Sequence, residues 1–151
     1  MLFRSKEGLS QVLGELFEFG STTLDRIAMA EALDAIGASA SAGSDFTVQT
    51  LTQDFDRGVQ LLADNELNPA FPQEALDIVK NQTARVVEAQ LKSPGYLMQR
   101  ALRESLFPAS DPSLRDATPA SVRSLTRNDI VNYYKAAFRD RKSTRLNSSH
   151  T

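Results

Sequence analysis

The chain has 151 residues, a single histidine (His150) and no cysteine. Those counts remove much of the usual active-site chemistry. Without cysteine there is no disulfide scaffold, thiolate zinc site, iron–sulfur cluster or Cys nucleophile. Ser39, Ser41 and Ser44 cluster in sequence, but no histidine stands where it could serve them as base, so a Ser–His mechanism is excluded. A Ser–Lys variant has no supporting spacing. Asp54 and Asp56 form a carboxylate pair; their position at a helix start reads as capping rather than catalysis. Gln11, Glu15 and Glu18 recur at helical spacing, so they share one face. Taken by itself, that face reads as an ordinary solvated surface. Tyr133 and Tyr134 read as surface and core positions of the last helix, with Tyr134 on the stripe of Ile130, Val131 and Phe138.

Composition sets the frame in which these residues must be held. With 41% hydrophobic and 24% charged residues, the chain can build one core, and it is short for two. Seven Gly and six Pro exclude collagen-like and low-complexity classes. A net charge of −2 does not favour nucleic acid as a partner. The apolar runs are far short of the ~20 residues that span a bilayer. Met1-Leu2-Phe3-Arg4 opens no apolar stretch of signal-peptide length. A cysteine-free chain suits the cytoplasm or the periplasm of a bacterium equally, and the sequence leaves the compartment open.

Asp140 to His150 reads D-R-K-S-T-R-L-N-S-S-H. This polar, aperiodic run replaces a well-patterned helix and resembles the translation of a sequencing-library adapter. We therefore expect residues 1–139 to form the domain and 140–151 to be a non-native tail. The basic run Arg139–Arg145 falls mostly in that tail and is given no phosphate-binding role.

Helices dominate the rest. Leu9, Val12, Leu13, Leu16 and Phe17 make one apolar helical face, and Gly20 stands where that helix should end. Thr22-x-x-Asp25 suggests a capping box for a second helix with Leu24, Ile27, Ala28 and Ile36 inward, closed by Gly37. Ala38–Ala42 and Phe46–Gln53 read as a β-hairpin around Gly43-Ser44-Asp45. The first strand, all Ala and Ser, needs close packing under a helix. A third helix starts at Asp54 or Asp56 and runs to about Glu66. Asn68-Pro69-Ala70-Phe71-Pro72 is a rigid connector. Pro72 suits the first position of a long fourth helix carrying Leu76, Val79, Val86 and Val87 inward. Ser93-Pro94 opens a fifth helix reaching about Phe107. After a loop, Thr118-Pro119 starts a short helix, and Thr126 with Asp129 caps the last. Two strands are not a viable sheet alone. The expected class is therefore α+β, with helices packed on one face of a mainly antiparallel sheet that is truncated, and with a tendency to aggregate when expressed alone.

The order and spacing of these markers resemble the insulinase/pitrilysin family of zinc metallopeptidases, which includes the mitochondrial processing peptidases. The resemblance covers roughly Gly8 to Arg139. It rests on Gly8-Leu9, Phe19-Gly20-Ser21-Thr22, Ala32 to Ala38, the Asn68–Pro72 connector, Ser93-Pro94, and Leu125-Thr126-x-x-Asp129 with Tyr133-Tyr134. Family members pair two homologous α+β halves as a clamshell. The active half carries H-x-x-E-H, two zinc ligands one helical turn apart with a general base between them, and takes a third ligand from a downstream Glu.

Laid on this chain, the motif falls at Gln11 to Glu15. Gln11 and Glu15 replace the two His, and Gly14 replaces the base. The downstream ligand should fall near Arg85 to Glu88, where Glu88 is the one carboxylate. The resemblance thus implies a non-catalytic half of C-terminal type, like that of a bacterial member, with no catalytic residue and no cofactor of its own. Zinc would sit in a partner half, in cis or on a second subunit, and the substrate would be a peptide or protein. The Arg and Tyr that such a half offers to substrate lie beyond the region covered. Gln11, Glu15 and Glu18 are then candidate chamber residues. The competing expectation is a stand-alone helical protein-interaction module, distinguished by whether the sheet edge beside Phe46–Gln53 is covered.

Overall fold

The structure is a computed structural model that describes residues 6–43 and 45–139, with backbone only for 138 and 139. The 140–151 tail with His150, the Ser44 turn position and the Phe138 side chain therefore lie outside the described residues.

Helix α1 (Leu9–Leu16) is the centre of the molecule. Its Leu9, Val12, Leu13 and Leu16, with Phe17 in the 3₁₀ turn that follows, are each at most 2% exposed. Burying such a side chain contributes roughly 1.5–3 kcal/mol, so this stripe organises the core. It packs on α4 (Gln73–Leu91) through Leu76, Val79, Ala84 and Val87, and on α7 (Arg127–Tyr134) through Ile130 and Tyr134. The short α6 (Pro119–Arg123) closes the layer with Val122. Both α6 and α7 begin with a complete capping box, Thr118 with Ser121 and Thr126 with Asp129. Phe17 meets Phe46, Phe71 and Tyr134 edge-on at 4.9, 5.6 and 6.1 Å between ring centres, an arrangement that suits aromatic quadrupoles. Tyr134 also donates to the Glu66 carbonyl at 2.7 Å.

Gly20 ends the α1 segment as its position predicts. Its φ is 84°, and a Cβ there would lie 2.4 Å from the Leu24 carbonyl oxygen, so no other residue fits. The tight turn it makes overturns the Thr22–Asp25 capping box. The Ser21 amide donates to Leu24 and the Thr22 amide to Asn68. The chain thus stays non-helical until Asp25, which alone caps α2 (Arg26–Asp34) by accepting from the Ala28 amide. The late start rotates the helix, leaving Ile27 70% exposed and Met29 buried. Gly37 (φ 58°) closes α2, with Ala38 donating to Leu33 and Gly37 to Asp34, a Schellman pair.

The hairpin is present and antiparallel: β1 (Ser39–Ser41) pairs with β2 (Thr47–Gln49), Ala40 opposite Val48. β2 is shorter than expected because Thr52–Asp54 is already a helical turn leading into α3 (Phe55–Leu67). All three β1 residues are exposed, so the expected close packing of this strand under a helix is not found. The close approach belongs to β2: a Cβ on Gly58 of α3 would lie 3.1 Å from Thr50 Cγ2 and 3.3 Å from Val48 Cγ2. Among the described residues β1 and β2 make a two-stranded sheet with both outer edges unpaired. Asp54 stands at the N-cap of α3 without capping through its side chain, which accepts from Gln53, and Asp56 is exposed in the first turn. Pro72 is the N-cap of α4, not its first residue. Val86 is 51% exposed, since one position from Val87 is about 100° around the helix.

Phe71 has φ 44°, a conformation costing about 1–3 kcal/mol outside glycine. It is over-determined by its surroundings. The ring is buried against Phe17 and Tyr134, and Arg127 donates to the Phe71 carbonyl at 2.8 Å and to the Ala70 carbonyl at 3.2 Å. This fixes the connector against α7.

Helix α5 (Pro94–Leu106) starts as predicted, with Ser93 accepting from the Tyr96 amide. Leu97, Met98, Leu102 and Leu106 are 55–69% exposed, and none of its residues is buried.

Candidate functional site

Of the five motif positions, Val12 and Leu13 belong to the buried stripe of α1, and Gln11, Gly14 and Glu15 lie off it. Gln11 is exposed and borders a recess of about 200 Å³ with Val87, Gln90, Tyr96 and Asp116. Gly14 is half-buried and lies under the hairpin loop, where a Cβ on Gly43 would be 3.8 Å from its carbonyl oxygen. Glu15 is half-buried, and its Oε2 accepts from Thr83 Oγ1 at 3.1 Å. Thr83 is fully buried on α4. Glu18 is exposed and borders a different cleft, between α2, α3 and β1. The fold thus places Gln11 and Glu18 at separate recesses, with Glu15 tied to α4 between them.

The α4 residue that reaches the motif helix is therefore Thr83. Glu88 faces away and pairs with Lys92 at 2.9 Å, a bond that holds its carboxyl below the usual range. Counting along the sequence does not reveal this, because one residue of offset on α4 turns a side chain by about 100°. The set Gln11, Gly14, Glu15 and Thr83 offers one carboxylate, one amide and one hydroxyl. Zinc sites are built from His, Cys and carboxylates with three or four ligands, and this donor set does not make one. No group of three or more His, Cys, Asp or Glu side chains with metal-binding geometry occurs among the described residues. Nor is any described helix long and apolar enough to cross a membrane.

Two polar clusters escape sequence reasoning. Asp116 accepts from Tyr96 at 2.6 Å, from Arg100 at 2.7 Å and from Arg103 at 3.1 and 3.2 Å. Burial pushes its carboxyl up, but the bonds from Tyr96, Arg103 and Arg100 outweigh it and hold the group below the usual carboxylate range. Burial, then Asp116 itself, pushes the Tyr96 phenol up. The available signal was the spacing of Tyr96, Arg100 and Arg103, which puts a polar stripe opposite the apolar one. In the second cluster Asp64 accepts from Ser21 at 2.5 Å, from Thr23, and from Asn68 at 3.0 Å. The Ser21 and Thr23 bonds lower its pKa most. This cluster ties the turn after α1 to the end of α3.

No family model and no curated protein matches the chain. Solved structures do. One is the inactive domain of a peptidase M16 from Pseudomonas fluorescens, with a TM-score of 0.69 and 20% identity over 88% of this chain and 34% of that one. Another is a protease from Helicobacter pylori, with a TM-score of 0.70 and 15% identity over 87% of this chain and 33% of that one. The chain shares its fold with an M16 inactive domain. It spans about a third of the length of each of these structures. The α+β fold implied by the insulinase-like resemblance is the fold observed.

Proposed function

We propose that the chain belongs to the non-catalytic, substrate-clamping half of an insulinase-like zinc metallopeptidase. Peptide hydrolysis would be performed by a partner half that carries H-x-x-E-H and the zinc, on the same polypeptide or a second subunit. The observation that carries this reading is the Glu15–Thr83 bond. It joins Glu15, at the second His position of the motif, to α4, the helix on which the resemblance places the downstream ligand, yet neither partner is a histidine and Gly14 has no side chain to act as base. Likeness to an inactive M16 domain supports the same reading. Gln11, Glu15 and Glu18 would face the chamber as polar wall.

The test is to measure zinc and peptidase activity of the purified chain beside a variant combining Gln11→His, Gly14→Glu, Glu15→His and Thr83→Glu. The expected result is no stoichiometric zinc and no hydrolysis for the wild type, and zinc-dependent stabilisation of the variant. Stoichiometric zinc in the wild type, lost with Gln11→Ala or Glu15→Ala, would overturn the reading. A folded variant that ignores zinc would show that α1 and α4 are not a degenerate metal site. The alternative, a stand-alone helical interaction module, draws on the exposed apolar face of α5; it predicts full function without any partner half.

A further inference from the structure

The cleft that Glu18 borders is polar at one end and apolar at the other. It encloses about 270 Å³ between α2, α3 and β1, just under the ~300 Å³ at which pockets for drug-sized ligands begin, so its occupant is small. Asp64, near the end of α3, accepts from Ser21 and Thr23, just before α2. Gly58, near the start of α3, lies against β2, whose partner β1 follows α2. The two helices therefore run antiparallel, and Arg26 in the first turn of α2 shares an end of the cleft with Asn65 of α3. Met29, Leu33, Leu61 and Leu62 line the remainder. Asn65 is only 8% exposed, and its buried Oδ1 accepts no hydrogen bond among the described residues. A buried acceptor without a donor is costly and rare in native structures. Glu18 and Arg26 line the same cleft and are both exposed. No ion pair joins these two among the described residues, and Arg26 is stacked on the Phe19 ring at 5.3 Å.

We propose that this cleft binds a free apolar α-amino acid as its zwitterion. The carboxylate pairs with Arg26, whose guanidinium fork matches it. The ammonium carries three donors and no acceptor, so it answers both Glu18 and the orphaned Asn65 Oδ1, which a turn about the broad last torsion of that side chain brings to the cleft. The apolar side chain lies among Met29, Leu33, Leu61 and Leu62. A zwitterion of this kind satisfies all four features together: a cation, a carboxylate and an amide acceptor at one end, and an apolar floor beyond them. The inference stands independently of the peptidase reading, because binding is a property of this chain alone and uses none of the β1 backbone.

The experiment titrates the full chain with L-leucine, N-acetyl-L-leucine and L-leucine amide, read by calorimetry and by methyl shifts of Met29, Leu61 and Leu62. The second ligand keeps only the carboxylate and the third only the ammonium. Saturable binding of L-leucine is expected, about tenfold weaker for either singly charged analogue, since each loses one charge-assisted bond. Arg26→Gln should weaken L-leucine about tenfold and leave L-leucine amide unchanged, and Glu18→Gln should weaken L-leucine similarly and leave N-acetyl-L-leucine unchanged. Asn65→Leu should bind L-leucine about tenfold more weakly yet melt higher, since it removes the orphaned acceptor. That opposition of stability and affinity is not expected of a merely structural Asn. No saturable binding at millimolar L-leucine, or undiminished binding by a folded Asn65→Leu, would overturn the proposal. So would equal affinity for either singly charged analogue, which would make the site a reader of one peptide end and not of a free amino acid.

Discussion

Helices α1 and α5 are both amphipathic, yet they are mounted in opposite senses. α1 turns its Leu and Val stripe into the core, leaves Gln11 outside and ties the half-buried Glu15 to Thr83 of α4. α5 turns its polar stripe inward, where Tyr96, Arg100 and Arg103 converge on Asp116, and leaves Leu97, Met98, Leu102 and Leu106 in solvent. One helix is held by area removed from water and the other by charge-assisted hydrogen bonds. The first kind of attachment is strong and indifferent to pH. The second is weaker, directional, and dependent on one carboxylate.

The largest test of this contrast is a matched truncation. Leu13 is fully buried on α1 and Leu102 is 59% exposed on α5. Leu13→Ala should destabilise the chain by about 3 kcal/mol, through lost transfer energy and a cavity among packed neighbours. Leu102→Ala should change stability by no more than about 0.5 kcal/mol. Urea melts of the two variants measure the difference. Similar losses would mean that α5 buries its leucines after all.

The helix positions themselves were legible in the sequence because they follow from strong local signals. The α1 stripe, Gly20, Ser93-Pro94 and the Thr126–Asp129 box each announce a start, a stop or a face within a few residues. What was illegible depends on distant partners. Ile27 looks inward until the Ser21–Leu24 turn delays α2. The β1 strand looks as though it needs a cover until β2 is seen to make the close contact with Gly58. At the candidate site, the motif positions Gln11, Gly14 and Glu15 can be read directly, but their partner Thr83 lies 68 residues away and carries no motif. On α5 no local signal chooses between the two faces. Periodicity reports that a helix has two faces, and the packing decides which one is inside.

A middle-sized effect is expected from the anchor. Asp116→Asn keeps the shape but removes the charge that Arg100 and Arg103 share, and should cost about 1–2 kcal/mol. The loss should be local, with faster amide exchange in α5 and little change in α1. pH should do the same to the wild type. Asp116 has its folded pKa held below the usual carboxylate range, and an unfolded Asp titrates near ~3.9. The anchor therefore contributes fully above the unfolded value and is lost as pH falls through the folded one. Tyr96, Arg100 and Arg103 are the groups that face Asp116, and Arg100 also pairs with Glu104. Exchange in α5 should rise as pH drops below about 4 after correction for intrinsic rates, and Asp116→Asn should flatten that response. An unchanged acid response in the variant would mean that the Asp116 carboxylate does not govern how α5 is held.

The smallest expected effect is the most informative about the apolar stripe. Combining Leu102→Gln with Leu106→Gln polarises the centre and end of the α5 face without touching Asp116 or its donors. If that face is solvated in the folded chain, thermal and urea melts should move by less than about 0.5 kcal/mol. Self-association by sedimentation should fall, because contiguous exposed apolar surface drives association. A loss of several kcal/mol would require the stripe to be covered in the monomer and α5 to be mounted like α1. Retained stability with reduced association leaves the two helices as opposites, with the polar side of α5 holding it to the fold and its apolar side free to meet another surface.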